Sequence, residues 1–276
     1  MNKKAFTLVE LLVVISIIAL LLSILMPSLS RARDQGRAIA CAHNSKTLSL
    51  GWFAYLSDNG GKLVAADPFW GGPSWYGMPE DEHGNFTWRY DGGGWSGSKT
   101  LEDEKRGIKK GKLFSYVGTV DVYHCLSDKR SVDENATWIP GSKGGYRSYS
   151  IVQCMNGWIY GTYVGTASTL AKSVKQYADI RSPSGRYVFI EDNDSRGFNM
   201  GPWTFDPDRP MWSNPLATWH HDKGILGFAD GHSEIHKWKD KRTITFKWGD
   251  IRPQKGNQDL IFMQIGWATY TGPVGW

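Results

Sequence analysis

The sequence predicts an α+β chain: one long N-terminal helix packed on a mainly antiparallel β-sheet head with long loops. Three observations predict it. Residues 6–26 form a nearly unbroken apolar run, and apolar residues continue at helical spacing to about residue 56. The rest of the chain sets short β-branched and aromatic segments between turn residues, the pattern of short strands.

The run FTLVELLVVISIIALLLSILM has 21 residues, or about 31 Å of helix at ~1.5 Å per residue, enough to span a bilayer. A secretory signal has a shorter apolar region of about 7 to 15 residues. Glu10 stands five residues into the run. A charge at a bilayer centre costs about 2.5 to 3.5 kcal/mol on insertion scales, so Glu10 either meets a cation or, one turn from the membrane edge, snorkels to the interface. Pro27 removes one i to i−4 hydrogen bond, which predicts a local bend or melted turn.

Past Pro27, Leu29, Ala32, Gly36, Ile39, Ala40, Leu48, Trp52, Tyr55 and Leu56 recur at helical spacing, with Arg31, Arg33, Asp34, Arg37 and Lys46 largely on other faces. Residues 27–57 therefore read as an amphipathic helix entering the head. The SDNGG segment ends it. From Phe6 to Leu56 the helix would be about 77 Å long at ~1.5 Å per residue.

Residues 58–276 form the head, with a loop-rich insertion at about 62–112 that holds FWGGPSWYG, FTWRYDGGGW and LEDEKRGIKKGK. YVGTVDVYHC, GYRSYSIVQC, GRYVFIED, KGILGFADGHSEIHKW and RTITFKW read as short strands. Within the fourth, Asp230 and Gly231 suit the two positive-φ positions of a type I′ hairpin turn.

The formal net charge is +5 over 276 residues. Lys3 and Lys4 precede the apolar run, and the other cations are interspersed with acids. That is a solvated mixed-sign surface rather than a nucleic-acid footprint. No G-x-S-x-G elbow, P-loop or H-E-x-x-H occurs, so an enzyme is not expected. Cys41, Cys125 and Cys154 are too few for a disulfide framework and lack zinc-finger spacing; in an exported head one disulfide with one thiol left over is the natural arrangement, and three pairings stay open.

His220, His221, His232 and His236 lie close in sequence. Residues four apart on a strand are about 13 Å apart at ~3.3 Å each, so His232 and His236 cannot share an ion, and no metal site is expected there. His220 is expected to hydrogen-bond a loop or strand end. Glu191, Asp192, Asn193, Asp194 and Asn199 are hard oxygen donors, which makes Asp192, Asn193 and Asp194 candidate calcium ligands. Arg196 and Trp203 at the loop positions that matter exclude an EF-hand, and an ordinary Asx-rich turn is the favoured reading. Trp70, Trp75, Trp88 and Trp95 sit among glycines and read as packing that stiffens long loops, the alternative being exposed platforms that stack on sugars.

The segment K-K-A-F-T-L-V-E followed by an apolar helix resembles the leader of type IV pilins and type II secretion pseudopilins. The resemblance implies a leader at residues 1–5, cleavage by prepilin peptidase between Ala5 and Phe6, and N-methylation of Phe6. Residues 6–26 become the transmembrane and assembly helix. Glu10 would neutralise the new amine of a neighbouring subunit, and Pro27 falls where many pilins carry a kinking proline. Ala5 departs from the glycine usual before the cut but keeps a small side chain. The charges flanking the run are nearly balanced, so it is the resemblance that places the N-terminus in the cytoplasm and the head outside.

HHDKGILGFADGHSEIH resembles the H-x9-DG motif of a subgroup of prepilin-like proteins, with His220, Asp230 and Gly231 at the matching positions. YLSDNGG and VYHCLSD resemble other blocks of that subgroup, with Leu126 where a proline is common. Cys41 and Cys125 fall in shared blocks, so the resemblance implies a disulfide between them. It also adds weight to calcium, which several pseudopilin heads hold; no other cofactor is expected.

The expected function is a structural subunit of a pilus-like filament or secretion pseudopilus. Its partners would be other pilin-like subunits, prepilin peptidase, the inner-membrane assembly platform and membrane lipid. Its location would be the inner membrane, then a periplasmic or surface filament. The alternative is a membrane-anchored exported protein whose aromatic-rich head binds glycans or calcium.

Overall fold

The computed structural model describes residues 8–68, 73–90, 95–97, 100–130, 145–157, 173–194, 201–204, 207–250 and 252–270. Its first element, α1, runs from Leu8 to Asp58 as one helix of 51 residues. The helix passes through Pro27 without interruption, so of the local bend or melted turn expected there the melted turn does not form. Serines flank that point: Ser28 Oγ donates to the Leu25 carbonyl at 2.8 Å and Ser23 Oγ to that of Leu20 at 2.7 Å. Asn59 N bonds back to Tyr55 O, and Gly60 and Gly61 take positive φ, which ends α1 where the sequence placed its stop.

The two halves of α1 have different surroundings. Leu8 to Leu29 is an exposed apolar cylinder, and by length and composition it is the one described segment able to cross a membrane. From Ala38 onward a stripe of Ala38, Cys41, Ser45, Leu48, Ser49, Trp52, Tyr55 and Leu56 is buried in the head. Ile39, expected on the packed face, is exposed. Hydrophobicity alone put it there; the head instead accepts Ala38, Cys41, Ser45 and Ser49 beside the expected Leu48, Trp52, Tyr55 and Leu56.

That sheet has four antiparallel strands in the order β3 (Tyr149–Ile151), β4 (Tyr187–Glu191), β5 (Lys223–Phe228) and β6 (Ser233–Lys237). β1 (Trp88–Tyr90) and β2 (Trp95–Gly97) form a separate ribbon in the loop-rich insertion. The α+β architecture predicted from the sequence, a long apolar helix on an antiparallel sheet, is the one observed. Trp75 is fully buried, stacked on Tyr123 with centroids 5.6 Å apart and edge-on to Phe189 at 5.4 Å, so it is core and not a sugar platform.

The seam between α1 and β5 depends on Gly227. A Cβ there would lie 2.4 Å from Ser49 Oγ and 2.8 Å from Ser45 Oγ. Small residues on both sides let the helix backbone approach the sheet. Gly227→Ala should therefore lower head stability by about 1 to 3 kcal/mol, the usual range for overpacking a filled core. Chemical denaturation of the detergent-solubilised chain, followed by tryptophan fluorescence, checks this; an unchanged midpoint would mean the seam is loose.

Three expectations change. YVGTVDVYHC is not a strand: it forms α3 (Phe114–Val117) and a 3₁₀ turn at Val120–Tyr123, separated by Gly118 at φ 82 with Thr119 Oγ1 capping Asp121 N. RTITFKW is not a strand either, because Asp240 caps α4 (Lys241–Ile244) by accepting from Arg242 N. The charged LEDEKRGIKK is α2 (Leu101–Lys110) rather than loop. Its start is a capping box in which Thr100 Oγ1 accepts from Asp103 N at 3.1 Å and Asp103 Oδ2 from Thr100 N at 2.9 Å. A further helix, α5 (Gln258–Gly266), is capped by Asn257.

The β5–β6 turn also differs from expectation. Gly231 N donates to Phe228 O at 3.0 Å, Phe228 N to His232 O at 2.9 Å, and Gly231 alone takes positive φ, at 91°. The loop is thus residues 229–231, a three-residue connection with glycine in the left-handed position, not a two-residue turn with Asp230 at positive φ. Asp230 Oδ1 instead accepts from His232 N at 3.2 Å.

Candidate functional site

Four elements converge behind the sheet at the point where α1 enters the head. Cys41 lies on the buried stripe of α1. Cys125 follows the 3₁₀ turn that Thr119 caps. Glu191 is the last residue of β4. His220 precedes β5, in a reversal where His221 and Asp222 take φ of 56° and 59°. All four residues are buried.

Their polar atoms face one another. The Cys41 and Cys125 sulfurs are 2.9 Å apart with both cysteines unbonded. His220 Nε2 lies 3.3 Å from Cys125 Sγ and 3.2 Å from Glu191 Oε1. One donor atom from each residue falls within 4.8 Å of all the others. An outer layer holds them in place. Ser127 N donates to Cys125 Sγ at 3.4 Å, Ser127 Oγ sits 3.4 Å from His220 Nδ1, and Ile225 N donates to Glu191 Oε2 at 3.0 Å.

The electrostatics follow from this packing. The hydrogen bond with Cys125 favours the Cys41 thiolate and outweighs burial, which with help from His220 brings its pKa down to about 5. Burial pushes the Cys125 thiol up, and the adjoining Cys41 sulfur pushes it further. Burial raises Glu191, with His220 opposing. For His220, burial favours the neutral ring, but hydrogen bonds to Cys41 and Glu191 prevail and lift it to about 9. The cluster thus gathers two sulfurs, an imidazole and a carboxylate, which share protons among them, in a buried pocket.

Nothing local in the sequence joins these four residues. His220 was assigned a hydrogen bond to a loop or strand end, and it meets Ser127 in a loop and Glu191 at the end of β4. The disulfide that the resemblance implied between Cys41 and Cys125 is not formed: the two are adjacent, but both are free. Glu191 was grouped with its sequence neighbours, and nothing local to its segment pointed toward His220 or the cysteines. His220 and the Asp230–Gly231 turn bracket β5 from its two ends, so the motif's spacing measures one strand plus its turn. His232 stacks on Phe228 with centroids 4.2 Å apart and His236 on Phe262 at 3.9 Å, so each has its own aromatic partner.

Asp192, Asn193 and Asp194 occupy a different corner. Asp192 Oδ2 accepts from Ser150 Oγ at 2.9 Å, and Arg130 Nη1 donates to the Asp194 carbonyl at 3.3 Å. Burial and the Asp194 charge raise Asp192 to about 7. Guanidinium groups occupy the space beside these carboxylates, with Arg130 clamped onto Asp128 at 3.0 and 2.6 Å. At the other end of the chain, Glu10 sits in the first turn of α1 and Pro27 in its exposed half. Ala5 and Phe6 lie outside the described residues, as do Trp70 and Asn199.

A family comparison matches residues 1–26 to the prokaryotic N-terminal methylation motif. No curated protein and no solved structure matches the chain.

Proposed function

We propose that this pilin-like chain, whose residues 1–26 carry the prepilin-type methylation motif, is a subunit of a type IV pilus-like filament or a type II secretion pseudopilus. One observation carries the reading. A single unbroken helix joins the motif and an exposed apolar span to a stripe built into the head core. An apolar cylinder of that length is stable only in lipid or against other apolar helices. The same helix therefore anchors the precursor and packs the assembled subunit. Assembly, not turnover, is the proposed work.

In this reading prepilin peptidase cuts between Ala5 and Phe6, and the helix stands in the inner membrane with the head outside the cytoplasm. An assembly platform then moves subunits into a homo- or hetero-oligomeric filament. Mass spectrometry of the mature N-terminus, from native membrane or sheared surface fractions, tests it. The expected result is a chain beginning at N-methylated Phe6. An intact Met1, or a start near Arg31, would overturn the filament reading. Recovery in the sheared fraction, as against the periplasm, separates pilus from pseudopilus.

A further inference from the structure

Assembly through α1 makes no use of the buried cluster at the base of that helix. We propose that Cys41, Cys125, Glu191 and His220 hold one divalent ion of the zinc class, fastening α1 to the sheet. Two thiols, an imidazole nitrogen and a carboxylate oxygen are a donor set zinc accepts in four-coordinate sites. The four atoms already lie within 4.8 Å of one another, on residues that are all buried. They come from α1, the segment after the 3₁₀ turn, β4 and the turn before β5, so a shared ion cross-links four parts of the fold. With four protein ligands and no open position, the site is structural rather than catalytic.

The outer layer supports the assignment. Ser127 Oγ at 3.4 Å from His220 Nδ1 orients the ring so that Nε2 faces the sulfurs, and Ile225 N holds the Glu191 carboxylate. A disulfide would use only the two cysteines and would leave the imidazole and carboxylate directed at a bond that needs neither. Two thiolates on one tetrahedral ion stand about 3.8 Å apart, given Zn–S bonds of about 2.3 Å. Loading therefore spreads the sulfurs from their present 2.9 Å. The protons still held by the thiols and by the His220 ring leave to solvent as the metal–sulfur and metal–nitrogen bonds form.

The test uses the full chain, purified in detergent with reductant and no chelator, stripped and then titrated with cobalt(II) and zinc(II). The expected result is one ion per chain, a thiolate-to-cobalt charge-transfer band, and its loss when zinc displaces cobalt. Cys41→Ser, Cys125→Ser and His220→Ala should each weaken binding by about 100-fold or more, since outer-layer partners alone are worth about 10 to 100-fold. Ser127→Ala should weaken it about tenfold, and Cys154→Ser should leave it unchanged. If a ligand variant does not fold, stoichiometry and spectrum of the parent chain decide the matter with Ser127→Ala. No thiolate band in the parent, binding that survives Cys41→Ser, or native material lighter by two hydrogens through a Cys41–Cys125 bond would each overturn the metal site.

Discussion

In cells producing Glu10→Ala, the chain accumulates in the membrane at parental levels, but filament incorporation falls roughly 100-fold. The two outcomes have one cause. Alanine removes a charge from the apolar span, so insertion of the single subunit becomes easier. In the assembled bundle, however, the carboxylate is proposed to meet the cleaved amine of a neighbouring Phe6. Without it that amine is uncompensated among packed apolar helices. A lone charge in such surroundings costs about 2.5 to 3.5 kcal/mol, and each 1.4 kcal/mol is a factor of ten. Immunoblots of sheared and membrane fractions measure both quantities. Parental filament yield from Glu10→Ala would remove Glu10 from the assembly mechanism while leaving the processing test intact.

Asp128→Ala destabilises the head by about 3 to 5 kcal/mol, the cost of removing one partner from a buried ion pair. Asp128 takes both forks of the Arg130 guanidinium, at 3.0 and 2.6 Å, and accepts from Ser148 Oγ at 2.7 Å. Ser148 Oγ in turn accepts from Cys125 N at 2.9 Å. Arg130 also lies over the Trp219 ring, its guanidinium carbon 5.0 Å from the centroid. The mutation therefore strands part of a buried cation and loosens the loop that carries Cys125. Thermal unfolding in detergent should show a clear drop in midpoint, with Arg130→Met plus Asp128→Leu recovering part of it because an apolar pair needs no counter-charge. A loss near 1 kcal/mol or less would mean that water reaches this pair.

How far each element could be read from the chain depends on the range of its cause. The stop of α1 was legible because SDNGG acts on its own backbone. α2 was also within reach: Thr100 and Asp103 stand at capping-box spacing, and the ion pair of Glu102 with Lys105 at 2.8 Å supports the exposed face. The segment has little hydrophobic periodicity, so its caps and charges are its only helical signals. YVGTVDVYHC and RTITFKW misled in the reverse way. Their β-branched residues suit strands, yet Gly118, Thr119 and Asp240 divert the backbone before any strand can pair. The lower half of the α1 stripe was not legible because Ser45 and Ser49 do not look like core until Gly227 lies opposite them.

What the sequence by itself determined is the apolar span and its motif: length, apolarity, Glu10 and the methylation motif are properties of consecutive residues, and a bilayer imposes its thickness on any helix that enters it. What only the tertiary structure decided is the cluster. Cys41 and Cys125 are 84 residues apart, and Cys125 and His220 are 95 apart. Glu191 reaches His220 because β4 and β5 pair antiparallel, with Ile190 opposite Leu226 beyond a register shift at Tyr187–Phe189, which brings the end of one strand beside the turn before the other. Local chemistry acts over a few residues. Convergence of four side chains requires the sheet to be formed and α1 docked against it.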